Sequence, residues 1–401
     1  MYRFKIGIDP NQHDEFVKKH PLCNLLQSSS WAKIKSNWGS DIVGVYDENK
    51  LVATSLVLIR KLPFGFTMLY TPRGPVLDYE NSNLVEFFMS ELKKYAKTKR
   101  CLFIKMDPGV HYKDYHFNED VEIKTNIPII MNNIRKCGAI HNGFSMDINA
   151  AIQPRFQANV YKEEFEIDKL SKSTRQMLRI AERKQVKTSI CNAEMLAEFS
   201  KIMAATSKRK QVALRNSPYF ETLLNTYPED SFIVMAHVNL KELYEDTSNR
   251  LNEVIREIET CPENAKKKLF ALNETKDSLT REEKEIKEDL VEFGDFVYLA
   301  GALVVTFGNT GEILYAGMDE HFKRYMAPYP TWVKAFEECF ARGCISSNMG
   351  GIEGDLKGGL AKYKSNFNPM INEFIGEFDL PVNKLLYNLS QLAYKFRKLL
   401  R

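Results

Sequence analysis

The sequence predicts a mixed α/β protein built from two copies of one folding unit, the second copy interrupted by a helical hairpin. Three observations predict it. One order of six elements occurs twice, a charged segment of about 55 residues is inserted at one point of the second occurrence, and the chain runs to 401 residues. A chain of that length exceeds what one hydrophobic core usually supports, so two domains are expected.

In the first copy, 42–46 reads as a strand, Asp47 to Lys50 as a polar turn and 51–59 as an apolar, β-branched return strand. A third strand, 67–70, runs into Pro72-Arg73-Gly74-Pro75, which enforces a loop. The spacing of Leu84, Phe87, Phe88, Leu92 and Tyr95 predicts a helix over 84–97, and 101–107 reads as a buried strand ended by Pro108-Gly109. The second copy repeats this order with strands at 232–238, 298–307 and 313–317, a helix over 331–341 and a strand at 344–349. Aligning the copies sets the four-residue turn opposite 239–293. There, apolar or small residues recur at Leu240, Tyr244, Thr247, Leu251, Val254 and Ile258, and after Cys261-Pro262 at Leu269, Leu272, Leu279, Ile286 and Leu290. That pattern predicts an antiparallel coiled-coil hairpin. The expected division is 1–150 for the first unit, 151–238 and 294–401 for the second, and 239–293 for the arm. The arm suits a solvated spacer as well as a tRNA contact, because its many acids would repel a polyanion.

Composition narrows the function classes. Apolar residues at 44% and charged residues at 27% are ordinary globular values, and a net charge of +4 leaves any polyanion to be met by local patches. Seven scattered cysteines without a Cys-x-x-Cys pair suit reduced thiols and neither a disulfide framework nor a zinc site. No apolar run approaches the roughly 18 residues of a membrane span, so a cytoplasmic location is expected, with the inner face of the plasma membrane as a surface to rest on. Phosphate-loop, His-Glu-x-x-His and Gly-x-Ser-x-Gly motifs are absent, which argues against nucleotide triphosphatases, zinc hydrolases and serine hydrolases. No metal or cofactor is expected.

Several local features carry chemistry. Lys172, Arg175, Arg179 and Arg183 share one face of a predicted helix, a stripe that suits a phosphodiester backbone or a solvated surface. Arg215 precedes Ser217-Pro218, read as an N-cap and first helical residue, with Tyr219 following; such a helix start suits a phosphate. Asp78 follows the Pro72-Arg73-Gly74-Pro75 loop, while Asp107 and Tyr315 close strands, where α/β proteins place ligands. In the tail, Leu385, Leu389, Leu392, Phe396 and Leu399 form an apolar face beside five cations and no acid between Val382 and Arg401. That helix suits either an anionic membrane surface or docking on the protein's own body.

Gln27-Ser28-Ser29-Ser30-Trp31 with Lys35 and Trp38, Tyr70-Thr71-Pro72-Arg73-Gly74-Pro75 with Asp78, Lys105-Met106-Asp107-Pro108 and Gly359-Leu360-Ala361-Lys362-Tyr363-Lys364 together resemble the Fem family of peptidoglycan-bridge aminoacyltransferases. The likeness covers nearly the whole chain and looks closest to the MurM-like branch. It implies tandem acetyltransferase-like (GNAT-type) domains with a coiled-coil arm. It also implies transfer of an amino acid, alanine or serine in that branch, from aminoacyl-tRNA to the stem-peptide lysine amine of lipid II or a UDP-linked muropeptide.

Such an amine, of pKa about 10.4, must lose a proton at a cost of roughly 4–5 kcal/mol at neutral pH. The resemblance assigns Asp107 to hold or deprotonate it and Lys364 to stabilise the tetrahedral oxyanion. It places Lys35 and Arg215 on the muropeptide diphosphate, with Trp31, Trp38, Asp78, Tyr219, Tyr315 and Tyr363 around the rest of the acceptor. Lys172, Arg175, Arg179 and Arg183 are the tRNA-binding candidates. Two other readings stay open: an acyl-CoA-dependent N-acyltransferase, which lacks here a pyrophosphate-binding glycine loop, and a non-catalytic tRNA- or membrane-binding adaptor.

Overall fold

The computed structural model describes residues 1–210, 215–262 and 264–399, with the backbone alone at 209–210 and 393–399. In the first copy, β1 (Tyr2–Ile6), β2 (Gly39–Asp47) and β3 (Lys50–Lys61) run antiparallel. The next strand, β4 (Thr67–Thr71), is antiparallel to β3 and parallel to β5 (Cys101–Met106). A parallel pair needs a crossover. The helix Ser82–Thr98 supplies it, capped by the Asn81 side chain and burying Leu84, Phe88, Leu92 and Tyr95 against the sheet.

After β6 (His111–His116), β7 (Ile140–His141), β8 (Phe156–Tyr161) and β9 (Lys187–Cys191), the same logic recurs. Antiparallel β10 (Ser231–Asn239), β11 (Phe296–Phe307) and β12 (Thr310–Met318) are followed by the helix Pro328–Ala341 and by β13 (Ser346–Gly351), parallel to β12. The helix starts three residues earlier than its apolar period indicates, because prolines fit a first turn whose N–H groups have no partner. The repeat is thus one of structure: two mixed α/β units in tandem, with a helical hairpin inserted in the second.

The chain closes with β14 (Met370–Phe374) and β15 (Phe378–Pro381), and here the strands do not divide at residue 150. The first sheet has the order β1-β2-β3-β4-β5-β15-β7 and the second β6-β14-β8-β13-β12-β11-β10-β9. Each copy lends a strand to the other. Pro108-Gly109 turns the chain out of the first sheet after β5, and the edge so exposed is filled by β15, while β6 pairs with β14. Pairing follows open backbone groups, not nearness in sequence. Where the two crossing segments meet, Ile375 N–H donates to Val110 O at 3.0 Å. An apolar core joins the copies, with Leu56, Leu58 and Tyr70 of the first packed in one cluster with Phe220, Ile233, Leu303 and Phe307 of the second.

The hairpin comprises the helices Leu240–Glu259 and Lys266–Phe293. Its buried seam uses Leu240, Leu243, Thr247 and Leu251 on one side and Leu279 and Ile286 on the other. Leu243 is thus buried where the heptad spacing pointed to Tyr244, which lies at the margin. Ser248 donates to Glu283, which satisfies an acid placed in the seam. At the root, the 4%-exposed Asp289 accepts from His321 Nε2 at 2.8 Å, from Tyr325 at 3.2 Å and from Arg324. The arm is therefore tied to the second copy.

The C-terminal helix Lys384–Leu399 docks by Leu386 and Tyr387, the latter 5.5 Å from Phe103 between ring centres. The tail's predicted apolar face does not dock there: Leu385, Leu389 and Leu392 are 69%, 54% and 52% exposed. The side chains of Phe396 and Leu399 lie outside those described. Among the described residues no helix is long and apolar enough to cross a membrane.

Candidate functional site

Between the copies lies a cleft of about 410 Å³, whose lining includes Trp31, Lys35, Trp38, Tyr70, Arg215 and Tyr219. The short helix Trp31–Ile34 buries Trp31 and ends at Lys35, which lines the cleft. Burial lowers the Lys35 ammonium below its ordinary range, and the Arg215 charge lowers it further. Arg215 stands 4.9 Å over the Tyr219 ring, at the start of the helix Ser217–Thr226. Asn216 and not Ser217 occupies the cap position of that helix, and its side chain makes no capping bond. Tyr315 packs edge-on against Tyr219 at 5.9 Å, and burial followed by the Tyr219 neighbour pushes its phenol upward. Among the described residues, neither Lys35 nor Arg215 has a carboxylate within ion-pair distance. Two neighbouring cations with no paired acid among the described residues, walled by aromatic rings, have the chemistry that suits an anion.

Asp107 lies behind this cleft. Its Oδ2 accepts from the Tyr70 hydroxyl at 2.8 Å and its Oδ1 from the Arg73 N–H at 2.6 Å. Burial pushes the carboxyl up to about 7, against the pull of the Arg73 charge and these hydrogen bonds. Tyr70 lines the cleft while bonding Asp107, so its hydroxyl is the link between them. Arg73, only 1% exposed, adopts φ 52°, donates to Pro154 O at 2.7 Å and lies 3.8 Å over the Phe374 ring. Gln27 braces the same loop, donating to Pro72 O at 2.6 Å and accepting from Leu56 N–H at 2.9 Å. A smaller cavity of about 40 Å³, lined by Arg73, Asp107, Gln153, Arg155 and Glu377 among others, opens on the far side of Asp107.

Lys364 ends the helix Gly359–Lys364, is 5% exposed and donates to Gly351 O at 2.8 Å, where β13 has left its partner β12. The last parallel pair there is Glu312 with Asn348. Burial pushes the Glu312 carboxyl up to about 7, against Arg73 and a 2.7 Å bond from Asn348.

The structure thus brings Trp31, Lys35, Trp38, Arg215 and Tyr219 into one cleft with Tyr315 beside it and Asp107 behind it. Other candidates stand apart. Asp78 is exposed and accepts from Glu80 N–H, and the Tyr363 ring packs among Tyr329, Trp332 and Phe367. Lys172, Arg179 and Arg183 are exposed along the helix Lys172–Arg183, with Arg175 half-buried. Its neighbour Lys184 pairs with Glu282 of the arm at 2.9 Å. Gln27, Arg73, Gln153 and Glu312 were not singled out from sequence as site residues; the Pro-flanked loop that holds Arg73 was the available signal. No group of three or more acids, histidines or cysteines able to hold a metal occurs among the described residues.

Fold and cleft together define a class: a duplicated α/β protein whose halves enclose a basic, aromatic cleft. The chain belongs to the FemAB family, whose profile matches residues 8–395. The lipid II:glycine glycyltransferase of Staphylococcus epidermidis is 28% identical over 96% of this chain and 95% of its own length. That of Staphylococcus aureus is 27% identical over the same shares. A crystal structure of FemX superposes with a TM-score of 0.79 at 24% identity, covering 96% of this chain and 99% of that one.

Proposed function

We propose that this protein is an aminoacyltransferase of peptidoglycan bridge synthesis. It moves alanine or serine from aminoacyl-tRNA to the stem-lysine amine of lipid II, on the cytoplasmic side of the membrane. The observation that carries the reading is the pairing of Lys35 and Arg215 at an aromatic cleft with no acid among the described residues in ion-pair reach of them, a fit for a diphosphate. The FemAB match and the lipid II-directed names of the staphylococcal relatives support it.

In this mechanism the acceptor amine enters the cleft as an ammonium and loses its proton toward Asp107, with the Tyr70 hydroxyl passing it on. The freed amine attacks the aminoacyl ester carbonyl, the new C–N bond forms, and the ester C–O bond to the tRNA ribose breaks as the ribose oxygen takes up a proton. The ester is already activated, so the larger demand is on the tetrahedral oxyanion. Lys364 is assigned to it, and the exposed cations of the helix Lys172–Arg183 to the tRNA backbone.

The test is direct. Purified protein, lipid II and a panel of alanyl-, seryl- and glycyl-tRNA should yield a stem peptide one residue heavier by mass spectrometry, with a parallel arm using the UDP-linked muropeptide. No product with any pairing overturns the reading, and transfer from acetyl-CoA in its place replaces it with an ordinary N-acyltransferase.

A further inference from the structure

We infer that one edge of the first copy is a docking face for an anionic lipid bilayer, formed by Leu385, Leu389 and Leu392 of the C-terminal helix together with Phe64. Each is a large apolar side chain left to solvent, Phe64 at 89% exposure. Their common location follows from the sheet. Pro381 pairs with Phe103 and Val382 N–H donates to Leu102 O, so the chain leaves β15 at the start of β5 and enters the helix there. The residue just before β5, Arg100, donates from its guanidinium to Phe64 O at 3.4 Å and accepts at its carbonyl from Thr67 N–H. Leu62 and Phe66, which flank Phe64, pack on the same apolar cluster as Leu386 and Tyr387. The loop and the helix thus share one edge.

Charge selects the occupant. The three segments that meet there, 60–66, 97–100 and 382–392, carry Arg60, Lys61, Lys97, Lys99, Arg100 and Lys384 and no acid at all. Among the described residues, Lys99 alone of these six has an ion-pair partner, Asp41 at 3.1 Å. Apolar side chains ringed by cations match the boundary between acyl chains and anionic headgroups, where burial and electrostatic attraction add. The same edge borders the cleft, since the Arg60 guanidinium lies 5.5 Å over the Trp38 ring. The inference deepens the proposed function, because an acceptor carried on a lipid would then be met at the height of its headgroup.

The experiment needs neither substrate, so its failure leaves the transfer assay untouched. Full-length protein is sedimented with vesicles of phosphatidylglycerol or of phosphatidylcholine at low and high salt. The anionic vesicles should carry the protein down and the neutral ones should not, with salt weakening the association. Leu385→Glu/Leu389→Glu should reduce the partition by about 10-fold or more, and Phe64→Trp should show blue-shifted emission quenched by brominated acyl chains. All three positions are exposed, so folding should survive these changes. No association with phosphatidylglycerol, or association unaltered in the double variant, overturns the inference. A dimer that the double variant splits into monomers also overturns it, since the face would then belong to a second copy.

Discussion

Asp107 holds its carboxyl in a buried position, and its ionisation therefore falls in the working range of a cell. Its folded-state pKa is raised to about 7 from an ordinary 3.8, so the carboxylate form is lost as pH falls through about 7. If it is the base, kcat/KM should rise with pH up to about 7 and then level off until the amine itself titrates near 10.4. Asp107→Asn should remove that limb and lower kcat by about 10²- to 10⁴-fold; a limb that persists in the variant assigns the titration elsewhere. Lys35 and Arg215 are proposed to act on binding. Replacing either with alanine should raise the KM for the muropeptide by about 10- to 100-fold, the worth of a charge-assisted bond, with a much smaller change in kcat. At this scale the sequence was informative about residues that lie near a recognisable loop or helix start. Asp107 and Arg215 were eligible on such grounds, and Lys35 through the family resemblance alone. Gln27 and Glu312 were not, because what makes them matter is a hydrogen bond to Pro72 and the charge of Arg73, some 45 and 240 residues away in the chain.

Among the elements, the arm depends most on one residue. Asp289 is a buried acid on a helix whose other acids are largely solvated, and His321, Arg324 and Tyr325 converge on it. Asp289→Ala leaves those donors unmatched and should cost on the order of 2 kcal/mol in urea unfolding. Proteolytic cleavage near the arm's root should quicken, because local opening becomes easier there. Cleavage as slow as in the parent protein would show that the apolar seam alone holds the arm. The hairpin was legible from heptad spacing because its two helices face each other and little else. Its anchoring was not, since an aspartate among many acids in 239–293 shows its burial only when the 321–325 segment is placed against it. The repeated strands and helices were legible for a similar reason: their apolar residues recur at the period of each element.

For the molecule as a whole, the exchanged strands matter more than the repeat. Separately expressed 1–150 and 151–401 should each fail to unfold cooperatively, since the first would lack β15 and the second β6, while the intact chain should melt in a single transition. Two separate transitions in the intact chain would show that the copies are independent. No periodicity announces an exchange of this kind. The four residues of β15 look like any short apolar strand, and their partner is fixed by an edge left open after β5, far back in the chain. The exchange also has an evolutionary consequence. Once each unit had completed its sheet with a strand from the other, neither could be lost, copied or recombined into another gene without stranding a partner. Removing either unit would leave an open edge in the other's sheet, so insertions are best borne by what hangs outside the two sheets, such as an arm, a loop or a tail.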